Sequence, residues 1–155
     1  MQKLKRVNTM SNYKNILVAI DINAHYKSII LKALAISQSP EDVSLMHTLM
    51  STTYIQPYLY GAEYNAIDDS QRMTFAREKL GDIATEFGIA QKNVVVKIGD
   101  TADEIKELAN DKSIDLIVIG THGRSGIKLL LGSTANAVLH GVKQDVLAVR
   151  VHDYL

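Results

Sequence analysis

Ile114-Asp115-Leu116-Ile117-Val118-Ile119-Gly120-Thr121-His122-Gly123-Arg124-Ser125-Gly126-Ile127-Lys128-Leu129-Leu130-Leu131-Gly132-Ser133-Thr134 carries an apolar run into a glycine-rich loop. Ala135, Val138, Leu139 and Val142 then recur at helical spacing. The apolar run reads as a strand buried on both faces, the mark of a parallel sheet. A strand that feeds a helix through glycines, hydroxyl residues and cations is where an anionic ligand, usually a nucleotide phosphate, sits in an α/β protein.

Working outward, the same alternation repeats. Ile16-Leu17-Val18-Ala19-Ile20 is a second unbroken apolar run, ending at Asp21. Ile29, Ile30, Ala33 and Leu34 follow at helical spacing, and Ser39-Pro40-Glu41-Asp42 breaks that helix. Val43 to His47 reads as a strand. Leu49 to Asp69, with Tyr54, Pro57, Tyr58, Tyr60 and Tyr64, has no period and is long for a connection. Met73, Ala76, Leu80, Ile83, Ala84 and Phe87 mark an amphipathic helix from Ser70, with Gly88 as its stop. Val94 to Ile98 is a strand closed by Gly99-Asp100, and Thr101 with Glu104 predicts a capping box for the next helix. Ile105, Leu108 and Ala109 give that helix its buried face, and Val146 to Val149 close the series. Strict β-α alternation predicts one three-layer α/β domain: an open, twisted, parallel five-stranded sheet with helices on both faces. The strands fall near residues 14–20, 43–48, 93–98, 114–119 and 145–151. The expected core is Leu17, Val18, Ala19, Leu45, Val95, Leu116, Ile117, Val118, Leu147 and Val149.

Composition narrows the function classes. The 155 residues suffice for one domain with a full core. Lys plus Arg and Asp plus Glu number 17 each, so no basic footprint points to nucleic acid or to an anionic membrane. No cysteine is present, which removes thiolate metal sites and cysteine nucleophiles and fits a reducing cytoplasm. No apolar run approaches the roughly 18 residues that span a bilayer. Residues 1–12 carry Lys3, Lys5 and Arg6 without an apolar core, so they read as a flexible extension ahead of a domain over 13–155.

Taken in order, these segments resemble the universal stress proteins. Tyr13 to Asp21 is similar to the family's first strand with its terminal Asp, and Val43-Ser44-Leu45-Met46-His47 to its second. Gly99-Asp100, Asp115 to Gly120, the Gly120 to Gly126 loop, Leu129 to Ser133 and Asp145 to Arg150 complete the likeness. The resemblance implies strand order 3-2-1-4-5, as in the adenine-nucleotide alpha-hydrolase-like folds, with Asp21 and the Gly120 loop flanking one crevice. It also implies ATP or another adenine nucleotide as ligand. The base would lie by Ala19, Ile20, Ile119 and the Thr48 backbone. Gly120, His122, Gly123 and Arg124 would meet the ribose and first phosphates. Gly132, Ser133 and Thr134 would meet the distal phosphates, and Asp21 would stand beside them or a Mg²⁺. Family ATP binders carry Gly-x2-Gly-x9-Gly-Ser/Thr. This chain has Gly120-x2-Gly123-x8-Gly132-Ser133, one residue shorter, and Asn23 and Ala24 stand where a Ser is usual.

Each candidate also has a plain structural reading. The glycines serve as turn residues and Ser133 as a helix cap; Asp21 serves as the N-cap of the next helix. Lys128 reads as a solvated charge, His47 as packing, and the tyrosines as anchors for a long loop or as a lid. The last strand, at a sheet edge, invites pairing with a second copy through Val146 to Val151. The Walker phosphate motif, the dinucleotide fingerprint after strand 1 and zinc-site spacing are all missing. The expected function is a dimeric, nucleotide-binding stress regulator acting on a protein partner. A dimeric interaction module without nucleotide and a very slow ATPase are the alternatives.

Overall fold

The computed structural model describes residues 13–51, 68–121 and 132–151. Within them run β1 (Ile16–Ala19), α1 (Lys27–Ile36), β2 (Val43–Leu49), α2 (Asp69–Glu86), β3 (Val94–Ile98), α3 (Thr101–Asp111), β4 (Leu116–Gly120), α4 (Ser133–Gly141) and β5 (Asp145–Val149). The expected extension over 1–12 and the tyrosines from Tyr54 to Tyr64 lie outside the described residues.

The strands form one parallel sheet in the order β3-β2-β1-β4-β5. Val18 of β1 lies between Leu45 of β2 and Val118 of β4. Because strand side chains alternate, β1 feeds two cores. Ile16 and Val18 pack with Ile29, Ile30 and Ala33 of α1 and Ala76, Leu80, Ile83 and Ala84 of α2. Leu17, with Met46 and Ile117, packs with Ile105, Leu108 and Ala109 of α3 and Ala135 and Val138 of α4. The chain moves one way along the sheet through β1, β2 and β3, then crosses back to β4 and β5. Right-handed crossovers put α1 and α2 on one face and α3 and α4 on the other for that reason.

Seven of the ten expected core residues are buried. Ala19, Val95 and Leu147 are only partly so, because each sits where helix cover thins, at a strand end or on an edge strand. Leu139 of α4, placed on the buried face by its spacing, is exposed. The capping box expected at Thr101 is not formed. Asp100 is the N-cap of α3 and accepts from the Asp103 amide, so the helix starts one residue earlier than the Thr101 reading requires. A capping box does form where none was expected, between Ser39 and Asp42. Gly88, at φ 71°, ends α2 as expected, and the Ile89 amide donates back to the Ala84 carbonyl.

Two carboxylates tie β1 to its neighbours. Asp115 accepts from the amides of Lys14 and Asn15 at 2.9 and 3.1 Å. The Tyr13 hydroxyl donates to Asp145 Oδ2 at 2.7 Å, joining the entry of β1 to the start of β5. That hydrogen bond, with the nearby negative charge, raises the Tyr13 phenol above its ordinary value of 10.0. A raised folded-state value means the contact stabilises fully below pH 10 and loses its contribution as pH climbs through the raised value. Tyr13→Phe is therefore expected to be less stable than wild type at neutral pH and to converge with it in alkali. Urea titrations at both ends of that range check this; a stability gap that persists undiminished in alkali contradicts it.

Candidate functional site

β1 leaves the sheet at Ala19, opposite Ile119 of β4. The chain turns away on both sides of this point, and a cleft of about 590 Å³ opens above the strand ends. Ala19, Ile20, Asp21, Thr48, Ile119, Gly120 and Thr134 all line it. Seven of the twelve expected site residues thus meet in one cavity, drawn from four different stretches of chain. His122, Gly123 and Arg124 lie outside the described residues, as does Lys128. His25, His47 and Thr101 also line the cleft, although the sequence reading left them out or gave them to packing. Thr101 reaches it because its hydroxyl hydrogen-bonds that of Thr48, joining the start of α3 to the end of β2.

Gly132 and Ser133 belong to the start of α4. Gly132 is the N-cap, at φ −59° and ψ 155°, and Ser133 is the first helical residue rather than the cap. The Gly132 amide donates to the Thr121 carbonyl at 2.6 Å, closing the neck of the glycine loop. Thr121 is held in turn by β5, its amide donating to the Val149 carbonyl at 2.9 Å. The first intrahelical bond runs from the Asn136 amide to the Gly132 carbonyl. The amides of Ser133, Thr134 and Ala135 therefore have no intrahelical acceptor, and no side chain caps them. Thr134 and Ala135 border the cleft, so the positive end of the α4 dipole faces it. The amides suited to an anion are thus those of residues 133, 134 and 135, the one at Gly132 being engaged.

The opposite wall offers a different pair of groups. In a strand, the main-chain groups of successive residues face opposite edges. The Met46 carbonyl accepts from the Ile20 amide at 2.9 Å, so Met46 faces β1. The Leu49 carbonyl accepts from the Gly99 amide, so Leu49 faces the continuation of β3. Thr48, between them in phase with Met46, turns its N–H and C=O toward the place that β1 has vacated. His47 is buried, 7% exposed, and its Nδ1 lies 3.0 Å from the Ile20 carbonyl. A carbonyl only accepts, so Nδ1 carries the proton and donates.

Asp21 is half-buried at the mouth. Its Oδ1 accepts from the Asn23 amide at 2.8 Å, and its carbonyl accepts from the Ala24 amide at 3.1 Å. It caps this turn and not α1, which starts at Lys27 after an N-cap, Tyr26, that makes no side-chain bond. Among the described residues no group of three His, Asp or Glu side chains could hold a metal ion. One carboxylate fits Mg²⁺ only where the ligand's own phosphates complete the shell.

Among the described residues no helix is long and apolar enough to cross a membrane. The chain is 36% identical over 145 residues to universal stress protein A homolog 2 of Coxiella burnetii, covering 92% of this chain and 98% of that one. The hypothetical protein MJ0577, whose biochemical function was assigned from its structure, superposes with a TM-score of 0.73 at 23% identity, over 92% of this chain and 99% of its own. A universal stress protein in complex with cAMP matches at TM-score 0.52 and 22% identity, over 90% of this chain and 98% of its own. An Arabidopsis thaliana family protein with AMP bound matches at 0.56 and 12% identity, over 90% and 93%. At such identities these structures speak for the fold alone. The family model for universal stress proteins matches residues 12–150. With that span matched and the Coxiella burnetii relative aligned along nearly its whole length, the chain belongs to the universal stress protein family.

Proposed function

We propose that the protein is a dimeric stress-response regulator that binds an adenine nucleotide in this cleft and acts through contacts with a protein partner. One observation carries the reading: the two ends of the cleft offer complementary chemistry. The Thr48 N–H and C=O form a donor–acceptor pair, and adenine presents the matching acceptor and donor at N1 and N6. Guanine and hypoxanthine present a proton at N1 and a carbonyl at C6, which mismatch both groups. Across the cleft, the open amides of α4 suit a phosphate. Ala19, Ile20 and Ile119 supply the apolar wall between them. The distal phosphates of ATP would pass Gly132 to reach the open amides of Ser133, Thr134 and Ala135, and a Mg²⁺ carried by them would meet Asp21. Structural neighbours in complex with cAMP and with AMP support an adenine nucleotide as the ligand class. Mass spectrometry of ligand released from denatured protein tests this, together with calorimetry using ATP and Mg²⁺. Adenine nucleotide in the released fraction and a saturable heat are expected.

A second reading, an interaction module that binds no nucleotide, is favoured by the loop, one residue shorter than in family ATP binders. No heat and no thermal stabilisation at millimolar nucleotide would select it.

The dimer would form along β5, which lies at a sheet edge. Antiparallel pairing of Val146 to Val151 with a second copy would satisfy the edge's main-chain groups. From sequence, proline at Val149 is the natural disrupting change. The geometry moves it by one residue. The Val149 carbonyl faces the β4 side, where it accepts from Thr121, so the Ala148 N–H faces the open edge. Ala148→Pro is expected to yield monomers while the fold persists, since proline is tolerated where an edge N–H points outward. Light scattering checks it; a wild type that is monomeric at high micromolar concentration overturns the assignment.

A further inference from the structure

The geometry points to His47 as the residue that keeps the Thr48 amide available for a nucleobase. This rests on the adenine-nucleotide reading of the cleft. In a parallel ladder, a residue whose N–H bonds one neighbour offers its C=O to the N–H two residues further along that neighbour. Ile20 obeys the first half: its amide donates to the Met46 carbonyl at 2.9 Å. The ladder would then give the Ile20 carbonyl to the Thr48 amide. It does not. The Ile20 carbonyl accepts from His47 Nδ1 instead, at 3.0 Å, and His47 as a residue is only 7% exposed. A side chain has replaced a main-chain donor at the last rung between β1 and β2.

The replacement has two consequences. First, the carbonyl of Ile20 is satisfied, so burial near the sheet end leaves no orphan acceptor. Secondly, the Thr48 N–H stays out of the ladder, beside a Thr48 C=O that β1 no longer reaches. An ordinary continuation of the sheet would have closed the donor that an adenine N1 requires. His47 is thus a positioning residue for base recognition: it touches no ligand itself, and acts through Ile20 on Thr48. Its Nδ1 proton is what the role needs. An asparagine, whose Nδ2 occupies much the same place relative to Cβ as Nδ1, can supply it; leucine cannot.

Amide hydrogen exchange at Thr48, alongside calorimetry with AMP and with inosine monophosphate, tests the assignment. In the wild-type protein without nucleotide, the Thr48 amide is expected to exchange as an unbonded group. AMP is expected to bind at least tenfold tighter than inosine monophosphate, equivalent to ~1.4 kcal/mol. In His47→Leu the Ile20 carbonyl is released to Thr48. The amide should become protected, and the preference for AMP should fall to about twofold or less. His47→Asn should restore both. A Thr48 amide that is already protected in the wild type overturns the inference, even if the leucine variant fails to fold. So does a His47→Leu protein that keeps both the fast exchange and the preference. If no adenine nucleotide binds the wild type, the adenine reading falls, and the base-recognition role with it. The exchange comparison still decides separately whether His47 holds the Ile20 carbonyl away from Thr48.

Discussion

Ile117→Asp is expected to abolish cooperative folding. Ile117 lies on β4, flanked by Leu17 of β1 and Val146 of β5, and is wholly buried. Its side chain belongs to the core shared with α3 and α4. Among the described residues no Lys or Arg is buried to pair with a new carboxylate there. An unpaired buried charge costs about 3–5 kcal/mol, and the loss of the isoleucine's own burial costs ~2 kcal/mol more. Together these are comparable with the entire stability of an ordinary domain, about 5–15 kcal/mol. The conservative Ile117→Val should cost only about 1 kcal/mol, because it removes one methyl group from the same place. Circular dichroism with urea titration separates the two. A soluble Ile117→Asp protein with a sharp transition would mean that β4 is not an interior, doubly covered strand.

The fold was legible because its signals are redundant. β4 is apolar at every position from Leu116 to Ile119, and β1 from Ile16 to Ala19, as strands between two helix layers must be. A one-residue error at either end changes nothing in that reading. The strand ends were less legible. β1 is shorter than its apolar run, because Ile20 remains apolar to line the cleft and fill the core after it has left the ladder. Caps were misread for a related reason. Asp100 and Thr101 are both good N-cap residues by type, and only the backbone decides which one stands outside the helix.

The site was legible in its strand ends and not in its second wall. Asp21, Ile119 and Gly120 follow from the rule that ligands sit at the carboxyl ends of strands where the order reverses. His47 carried no such signal. A histidine in an apolar strand reads as packing. Its function depends on which way the Ile20 carbonyl points after β1 has ended, and no sequence pattern reports that. Thr101 escaped for the same reason: it enters from the start of α3 through one hydroxyl contact with Thr48, on the strand beside the one that leads into that helix. The engagement of the Gly132 amide by Thr121 could not be read either, since it depends on how the loop neck closes.

Gly132→Val is expected to eliminate nucleotide binding while the fold survives. The glycine is not there for its own dihedrals: φ −59° and ψ 155° are open to any L-residue. Its amide bond to Thr121 would persist in a valine, and so would its carbonyl bond from Asn136. The expected loss of stability is small, about 1 kcal/mol or less, from a poorer N-cap residue. What changes is the space before the helix. A branched side chain would stand where a phosphate must approach the amides of Ser133, Thr134 and Ala135, and no rotation about χ1 removes all three substituents on Cβ from that approach. Ser133→Ala is the contrasting change. It removes one exposed hydroxyl and leaves the amides, so affinity should fall by only ~1 kcal/mol, roughly fivefold. Calorimetry with AMP and ATP measures both, and thermal melts of the unliganded variants establish that each is folded. Wild-type affinity in Gly132→Val would place the phosphate elsewhere. Equal losses in the two variants would mean that the serine hydroxyl, and not the open start of the helix, holds the anion.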